Sequence, residues 1–283
     1  MNKETSIALD WGKLAALETG AIEGRRVLFL HGWLDNAASF VPLVELLPQS
    51  WHCVVLDLPG HGHSDHRPAG TAYHLIDAVA DVLNAADALG WQRFTLVGHS
   101  LGAGIASVLA GSFSDRLDAL VLIEGIGPLS SKADETPPRF TEYFKALGEL
   151  KHKRLPVYPD LDLATRSRLQ GGTGPMAPAS ARRLVERGTR PVDGGFTWRS
   201  DPRLRLPTQR FTEEQTQSFL KSIHCPTLAL VASEGLMARF DTWQERAALI
   251  PKLTLKRLAG GHHLHLDDPA PSASAVGNWI NSL

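Results

Sequence analysis

Arg93-Phe94-Thr95-Leu96-Val97-Gly98-His99-Ser100-Leu101-Gly102-Ala103-Gly104-Ile105-Ala106-Ser107-Val108-Leu109-Ala110 carries the strongest structural signal in this chain. Arg93–Val97 is short, apolar and β-prone, which predicts a buried strand; Leu101–Ala110 is rich in small residues and predicts a helix. Between them Gly98-His99-Ser100-Leu101-Gly102 spells G-x-S-x-G in the strand–turn–helix setting that this motif needs. Such a turn forces its central serine into a strained backbone conformation and presents the hydroxyl above the sheet. Residues two places either side must then lack bulk, and both are glycine. The helix begins at the serine, so its first amides point at the same spot.

Outward from this turn the rhythm repeats. Arg26–Leu30 and Trp51–Leu58 predict strands, Val41–Leu47 and Tyr73–Leu89 helices, and Leu117–Ile123 a further strand. Strand, helix, strand at this spacing implies crossover units and a parallel sheet covered on both faces. From about Gly127 to Ile223 the rhythm breaks into a proline-rich stretch of mostly helix and loop character. Between Lys132 and Arg210 there are 16 Lys or Arg against 9 Asp or Glu. The pattern resumes with Pro226–Ala232, Thr242–Leu249, Leu253–Leu258 and a closing helix, Pro269–Leu283. The expected organisation is one core, 1–126 and 224–283, interrupted by an inserted lid, 127–223, because insertions of this length inside compact domains are usually binding elements.

Composition narrows the class. The 283 residues are 43% hydrophobic and 21% charged, with 29 Lys plus Arg against 30 Asp plus Glu, a net charge of −1. That is an ordinary globule without the positive field that nucleic acid or an anionic membrane would require. No apolar run approaches the roughly 20 residues of a membrane span. Met1–Asp10 carries Lys3, Glu4 and Asp10 and lacks the apolar core of a secretory signal, so a cytoplasmic location is expected. Cys53 and Cys225, in or beside predicted strands, are expected to be small buried thiols rather than a disulfide.

On these motifs the chain resembles the α/β-hydrolases with a lid, nearly end to end. Leu30-His31-Gly32-Trp33 stands where that superfamily places its oxyanion loop; Asp57-Leu58-Pro59-Gly60-His61-Gly62-His63-Ser64 matches its D-x-P-G-x-G-x-S turn; Gly261-His262 stands where its catalytic histidine usually falls. His31-Gly32-Trp33-Leu34-Asp35-Asn36, Trp198–Leu204 and Gly261-His262-His263-Leu264-His265 are similar to the serine hydrolase-like branch. The resemblance implies an α/β-hydrolase fold, a mostly parallel sheet with helices on both faces and a helical lid. It also implies a carboxylesterase-like serine hydrolase that needs no cofactor or metal and acts on a small-molecule ester or related acyl compound. Ser100 would be the nucleophile, His262 the base, and the backbone amides of Trp33 and Leu101 the oxyanion hole. His263 and His265 are neighbouring decoys, and His99 is expected to point away from the reacting centre.

The acid is the open position. Many family members carry G-x-x-D after the strand equivalent to Pro226–Ala232, whereas this chain reads Ala232-Ser233-Glu234-Gly235, with glycine where aspartate would fall. Glu124, ending the strand after the elbow helix, is the preferred alternative, as in some lidded relatives; Glu234 and Asp241 are the others. A carboxylate ending an apolar strand needs a partner, and histidine supplies one. A serine nucleophile points to acyl transfer rather than to the alkyl-enzyme chemistry of carboxylate nucleophiles.

Two rival readings accompany this one. A ligand-binding homologue without catalysis, receptor-like, would keep the fold. His61-Gly62-His63-Ser64-Asp65-His66 reads literally as H-x-H-x-D-H, a zinc signature, though in a chain with parallel-sheet rhythm and without further ligands at the proper spacing. In the insertion, Phe140, Tyr143, Phe144, Leu147, Tyr158, Leu169 and Phe196 are expected mainly as lid core, and Arg199 with Asp201 as an ion pair returning the lid to the sheet.

Overall fold

The structure is a computed structural model that describes residues 3–150, 152, 154–171, 174–239 and 242–283. Its strands are β1 (Lys3–Leu9), β2 (Gly12–Gly20), β3 (Arg25–Leu30), β4 (Trp51–Leu56), β5 (Phe94–His99), β6 (Leu117–Ile123), β7 (Thr189–Val192), β8 (Gly195–Trp198), β9 (Thr227–Ala232) and β10 (Leu253–Leu258). The helices are α1 (Val41–Val44), α2 (Leu75–Ala88), α3 (Leu101–Ser112), α4 (Thr136–Leu150), α5 (Leu161–Gln170), α6 (Pro178–Gly188), α7 (Glu213–Lys221), α8 (Thr242–Ala248), α9 (Leu264–Asp267) and α10 (Pro269–Asn281).

Eight strands form one sheet in the order β1-β2-β4-β3-β5-β6-β9-β10. All pairings from β4 to β10 are parallel, and β1–β2 and β2–β4 are antiparallel. This is the α/β-hydrolase architecture with a mostly parallel sheet. The antiparallel β1–β2 pair has no counterpart in the sequence reading: β1 is mostly exposed, and the buried Leu14–Leu17 run of β2 is too short and too alanine-rich to mark a strand by itself.

Alternation along the strands feeds two cores. On β3, Leu28 and Leu30 join the layer under α2, α3 and α8, while Val27 and Phe29 join the layer under α1 and α10. On β6, Leu117, Leu120 and Leu122 face the first layer and Ala119, Val121 and Ile123 the second. All six β5 residues are buried. Chain order reverses between β3 and β5, so the crevice at their carboxyl ends is the topological switch point where ligands of open parallel sheets bind.

Between β6 and β9 the chain builds α4 to α7 and the antiparallel hairpin β7–β8, a strand pair in a stretch whose sequence suggests only helix and loop. The lid-core expectation does not hold for α4, which buries none of its residues; Phe140 is 40% and Phe144 65% exposed. Nor does Arg199 pair with Asp201: Arg199 donates to the Thr189 carbonyl, while Asp201 accepts from Arg203 and from the Tyr73 hydroxyl. Backbone adds to the return contact, Asp201 N–H to Gly60 O at 2.9 Å. Cys53 and Cys225 are buried free thiols, and burial pushes the Cys53 thiol up to about 12. No helix among the described residues is long and apolar enough to cross a membrane.

Candidate active site

Three described non-glycine residues have positive φ, and all three lie at the carboxyl end of the sheet: Leu34 at +60°, Ser100 at +52° and Glu124 at +51°. Strain of this kind persists only where the surrounding structure imposes it, and it concentrates at functional sites. Ser100 is held by its N–H to Ile123 O and by the Gly104 N–H to Ser100 O, each 3.0 Å. The flanking glycines are obligatory at this turn. A Cβ on Gly98 would lie 2.3 Å from Gly102 O, and one on Gly102 would lie 2.1 Å from Leu30 O. Leu101 opens α3, so its amide is among the four that an α-helix leaves without an internal partner.

Glu124 directly follows β6, buried to 2% exposure. Its Oε1 accepts the Ala232 N–H at 2.7 Å, and its Oε2 lies 3.1 Å from His262 Nδ1. A carboxylate accepts only, so Nδ1 carries the proton and Nε2 keeps its lone pair free. That Nε2 is buried and without a hydrogen-bond partner among the described residues. No hydrogen bond therefore joins it to Ser100 Oγ in this structure. The His262 ring packs 4.7 Å from that of His99, the residue preceding Ser100.

Glu234 lies apart, exposed, its backbone N–H bonded to Gly260 O. Asp241 lies outside the described residues. Gly235 explains the missing aspartate in packing terms: a Cβ there would stand 2.1 Å from Glu124 Oε2. The carboxylate arriving from β6 occupies the space that a side chain on the β9 loop would need.

The loop after β3 is fixed by groups from the loop after β4. His31 donates through Nδ1 to Gly32 O at 2.8 Å and accepts the Leu58 N–H at Nε2, 2.9 Å. His61 donates to Pro59 O at 3.0 Å and accepts the Leu34 N–H at 3.2 Å, holding Leu34 in its left-handed conformation. An acceptor imidazole must be neutral; burial pushes His61 down to about 3. Asp57, fully buried, accepts from the Ala37 and His63 amides and pairs with Arg187 of α6. The Trp33 indole donates outward to Leu204 O at 2.9 Å.

His99 makes its hydrogen bond to the loop after β10. It donates through Nε2 to the His262 carbonyl at 2.9 Å and packs at a tilt against His265, ring centroids 4.2 Å apart. Burial, followed by the neighbouring His265, His262 and His263, lowers it well below the ordinary histidine value. Beneath it, Asp35 meets Arg168 of α5 at 2.6 Å and His263 at 3.3 Å. Burial alone would raise the Asp35 carboxyl, but His263 and then Arg168 overturn this and hold it well below the ordinary carboxylate range. This charge cluster under the loop after β3 is not legible in the sequence, since Arg168 sits in the insertion.

The H-x-H-x-D-H residues diverge. His61 serves the Leu34 loop, Asp65 accepts the Lys13 amide, and His66 contacts Arg199 O and Asp201. His63 faces Glu4 at 3.9 Å. Among the described residues, no group of three or more His, Cys, Asp or Glu is arranged to hold a metal ion.

This fold and site define an α/β-hydrolase. Residues 25–269 match the alpha/beta hydrolase fold family, to which the chain belongs. It is similar to a serine hydrolase-like protein of Danio rerio, 31% identical over 98% of this chain and 88% of that one. Among solved structures it is similar to a hypothetical protein of Pseudomonas aeruginosa PAO1, at 42% identity and TM-score 0.92 over 98% and 97% of the two chains. A thioesterase domain from the curacin biosynthetic pathway superposes at TM-score 0.86 and 26% identity, over 98% of this chain and 99% of that domain.

Proposed function

We propose that this protein is a serine acyl hydrolase that cleaves a small-molecule ester, thioester or related acyl compound through an acyl-enzyme. The observation that carries the reading is the Glu124–His262 contact of 3.1 Å, with Nε2 of the same ring left without a partner beside the elbow of Ser100.

Ser100 Oγ attacks the carbonyl carbon while its proton passes to His262 Nε2. Glu124 accepts the Nδ1–H, fixes the tautomer and stabilises the imidazolium that forms. The Trp33 and Leu101 amides receive the oxyanion, each such donor contributing about 3 kcal/mol to the barrier reduction. Collapse of the tetrahedral intermediate breaks the bond to the leaving group, which takes the proton from His262. Water then repeats the sequence on the acyl-enzyme, giving the acid and restoring Ser100. The Ser100–His262 hydrogen bond closes in the substrate complex, as such bonds often do when the unliganded site is loose. Residues 127–223 act as the lid, and the protein works in the cytoplasm.

The test is a fluorophosphonate probe with a panel of p-nitrophenyl esters of varied acyl length. The wild-type protein should label and turn over, and Ser100→Ala should do neither. Absence of labelling in both would favour the ligand-binding homologue.

A further inference from the structure

The lid carries an excess of positive charge, and several of its arginines are paired with carboxylates, whereas Arg205 is exposed. Arg168 is held by Asp35, Arg187 by Asp57, and Arg203 by Asp201. Arg205 differs. Its guanidinium lies 5.7 Å from the centre of the Trp33 ring, and among the described residues no carboxylate pairs with it. Trp33 is the residue whose amide belongs to the proposed oxyanion hole, so this cation rests on the side chain of that same residue.

The backbone that carries Arg205 is locked. Arg203 on one side engages the Asp201 carboxylate and the carbonyls of Arg67, Pro68 and Thr71. Leu206 on the other is 8% exposed. Leu204 O accepts the Trp33 indole N–H at 2.9 Å, fastening this segment to the oxyanion loop. A charged side chain on a rigid support lies close to its bound geometry before a ligand arrives, which lowers the cost of binding.

We propose that Arg205, resting on Trp33, is an anion subsite that selects esters or thioesters carrying a carboxylate or phosphate near the scissile bond. This rests on the acyl-hydrolase reading and names its substrate class. The local electrostatics support it. Partial burial lowers the Arg205 guanidinium from the ordinary arginine value; Tyr158 opposes this, and the like charge of Arg168 adds to it. A cation set among partly buried groups beside another cation is stabilised by an incoming anion. The planar guanidinium also suits bidentate contact with carboxylate or phosphate oxygens.

Two substrate pairs test the proposal. Monomethyl glutarate against methyl 5-methylhexanoate places the charge on the acyl side; 1-butyrylglycerol 3-phosphate against 1-butyrylglycerol places it on the alcohol side. In one pair the wild-type protein should favour the anionic member about tenfold in kcat/KM. Arg205→Gln should collapse that ratio through KM, Arg205→Lys should restore part of it, and 0.5 M NaCl should shrink it. Ratios that Arg205→Gln leaves intact in both pairs overturn the proposal. If the wild-type protein hydrolyses none of the four, the serine reading fails separately. Calorimetric titration with glutarate and with glycerol 3-phosphate then decides: binding lost in Arg205→Gln sustains the subsite, and absent or unchanged binding rejects it.

Discussion

The carboxylate of Glu124 occupies the volume that a side chain at Gly235 would fill, with a Cβ there only 2.1 Å from Oε2. An acid delivered from the end of β6 and one delivered from the loop after β9 are thus alternative occupants of a single place beside His262. Gly235→Ala should push the Glu124 carboxylate off Nδ1 and lower kcat/KM by about a hundredfold in a folded protein, the tautomer no longer being held. Far-ultraviolet circular dichroism beside ester kinetics reads both.

The same exclusion predicts that the acid can be moved. Glu124→Gly relieves the positive φ of that residue and empties the place, and should cost about 10³–10⁴ in kcat. Gly235 does not itself need positive φ, so the double variant Glu124→Gly/Gly235→Asp should recover at least about tenfold over the single one. No recovery would show that the β9 loop cannot aim a carboxylate at the ring.

Glu124→Gln and Glu234→Gln should behave oppositely. The first leaves Nδ1 facing an amide with no preference for the needed tautomer, and kcat should fall about 10³–10⁴-fold. The second alters an exposed side chain and should leave kcat within about twofold. Equal losses would remove Glu124 from the role proposed.

Acid should destabilise this protein earlier than carboxylate titration alone would. Burial holds His61 and His265 down to about 3, and lowers His31 and His99 as well. Unfolded histidines bind protons below about pH 6.5. Between about pH 6.5 and 3 the unfolded chain therefore binds more protons than the folded one at His61 and His265, and stability falls as pH falls, by about 1.4 kcal/mol per pH unit for each of these two; His31 and His99 add to the fall in the same direction. Among the described residues neither ring nitrogen of His265 has a hydrogen-bond partner, and the ring packs against Phe40 at 4.7 Å. His265→Phe should preserve that packing and flatten the dependence. Urea midpoints at pH 7 and pH 5 for both proteins check it, and an unchanged slope would contradict the assignment.

Arg187 joins α6 to the core through Asp57 and to the N-terminal strand through Glu4. Asp57 is fully buried, so Arg187→Ala leaves its charge with only amide partners and should cost about 3 kcal/mol. Chemical denaturation measures the loss; a change under about 1 kcal/mol would mean that the amides alone suffice.

Sequence patterning was enough for the central sheet and the elbow, because both depend on local rules. Continuous apolar runs mark strands buried on two faces, and G-x-S-x-G marks a turn whose sterics involve neighbours only a few residues away. The edge strand β1, its neighbour β2 and the hairpin β7–β8 do not stand out in the sequence, since β1, β7 and β8 are exposed or half-buried over most of their length and the buried run of β2 is only Leu14–Leu17. The partner of Asp201 was misassigned for a related reason: Arg199 and Arg203 are equally near in sequence, and only the path of the chain sets Arg203 against that carboxylate.

What the residues alone determined is that one serine is raised on a strained bend at the end of a parallel strand in a hydrolase fold. What only the tertiary structure decided is which carboxylate reaches the imidazole, what holds the Trp33 loop, and which cation of the insertion lies over it. Glu124 and His262 are 138 residues apart and Arg168 and Asp35 are 133 apart. Contacts of that span are set by strand order and loop packing, which no local pattern of side chains encodes.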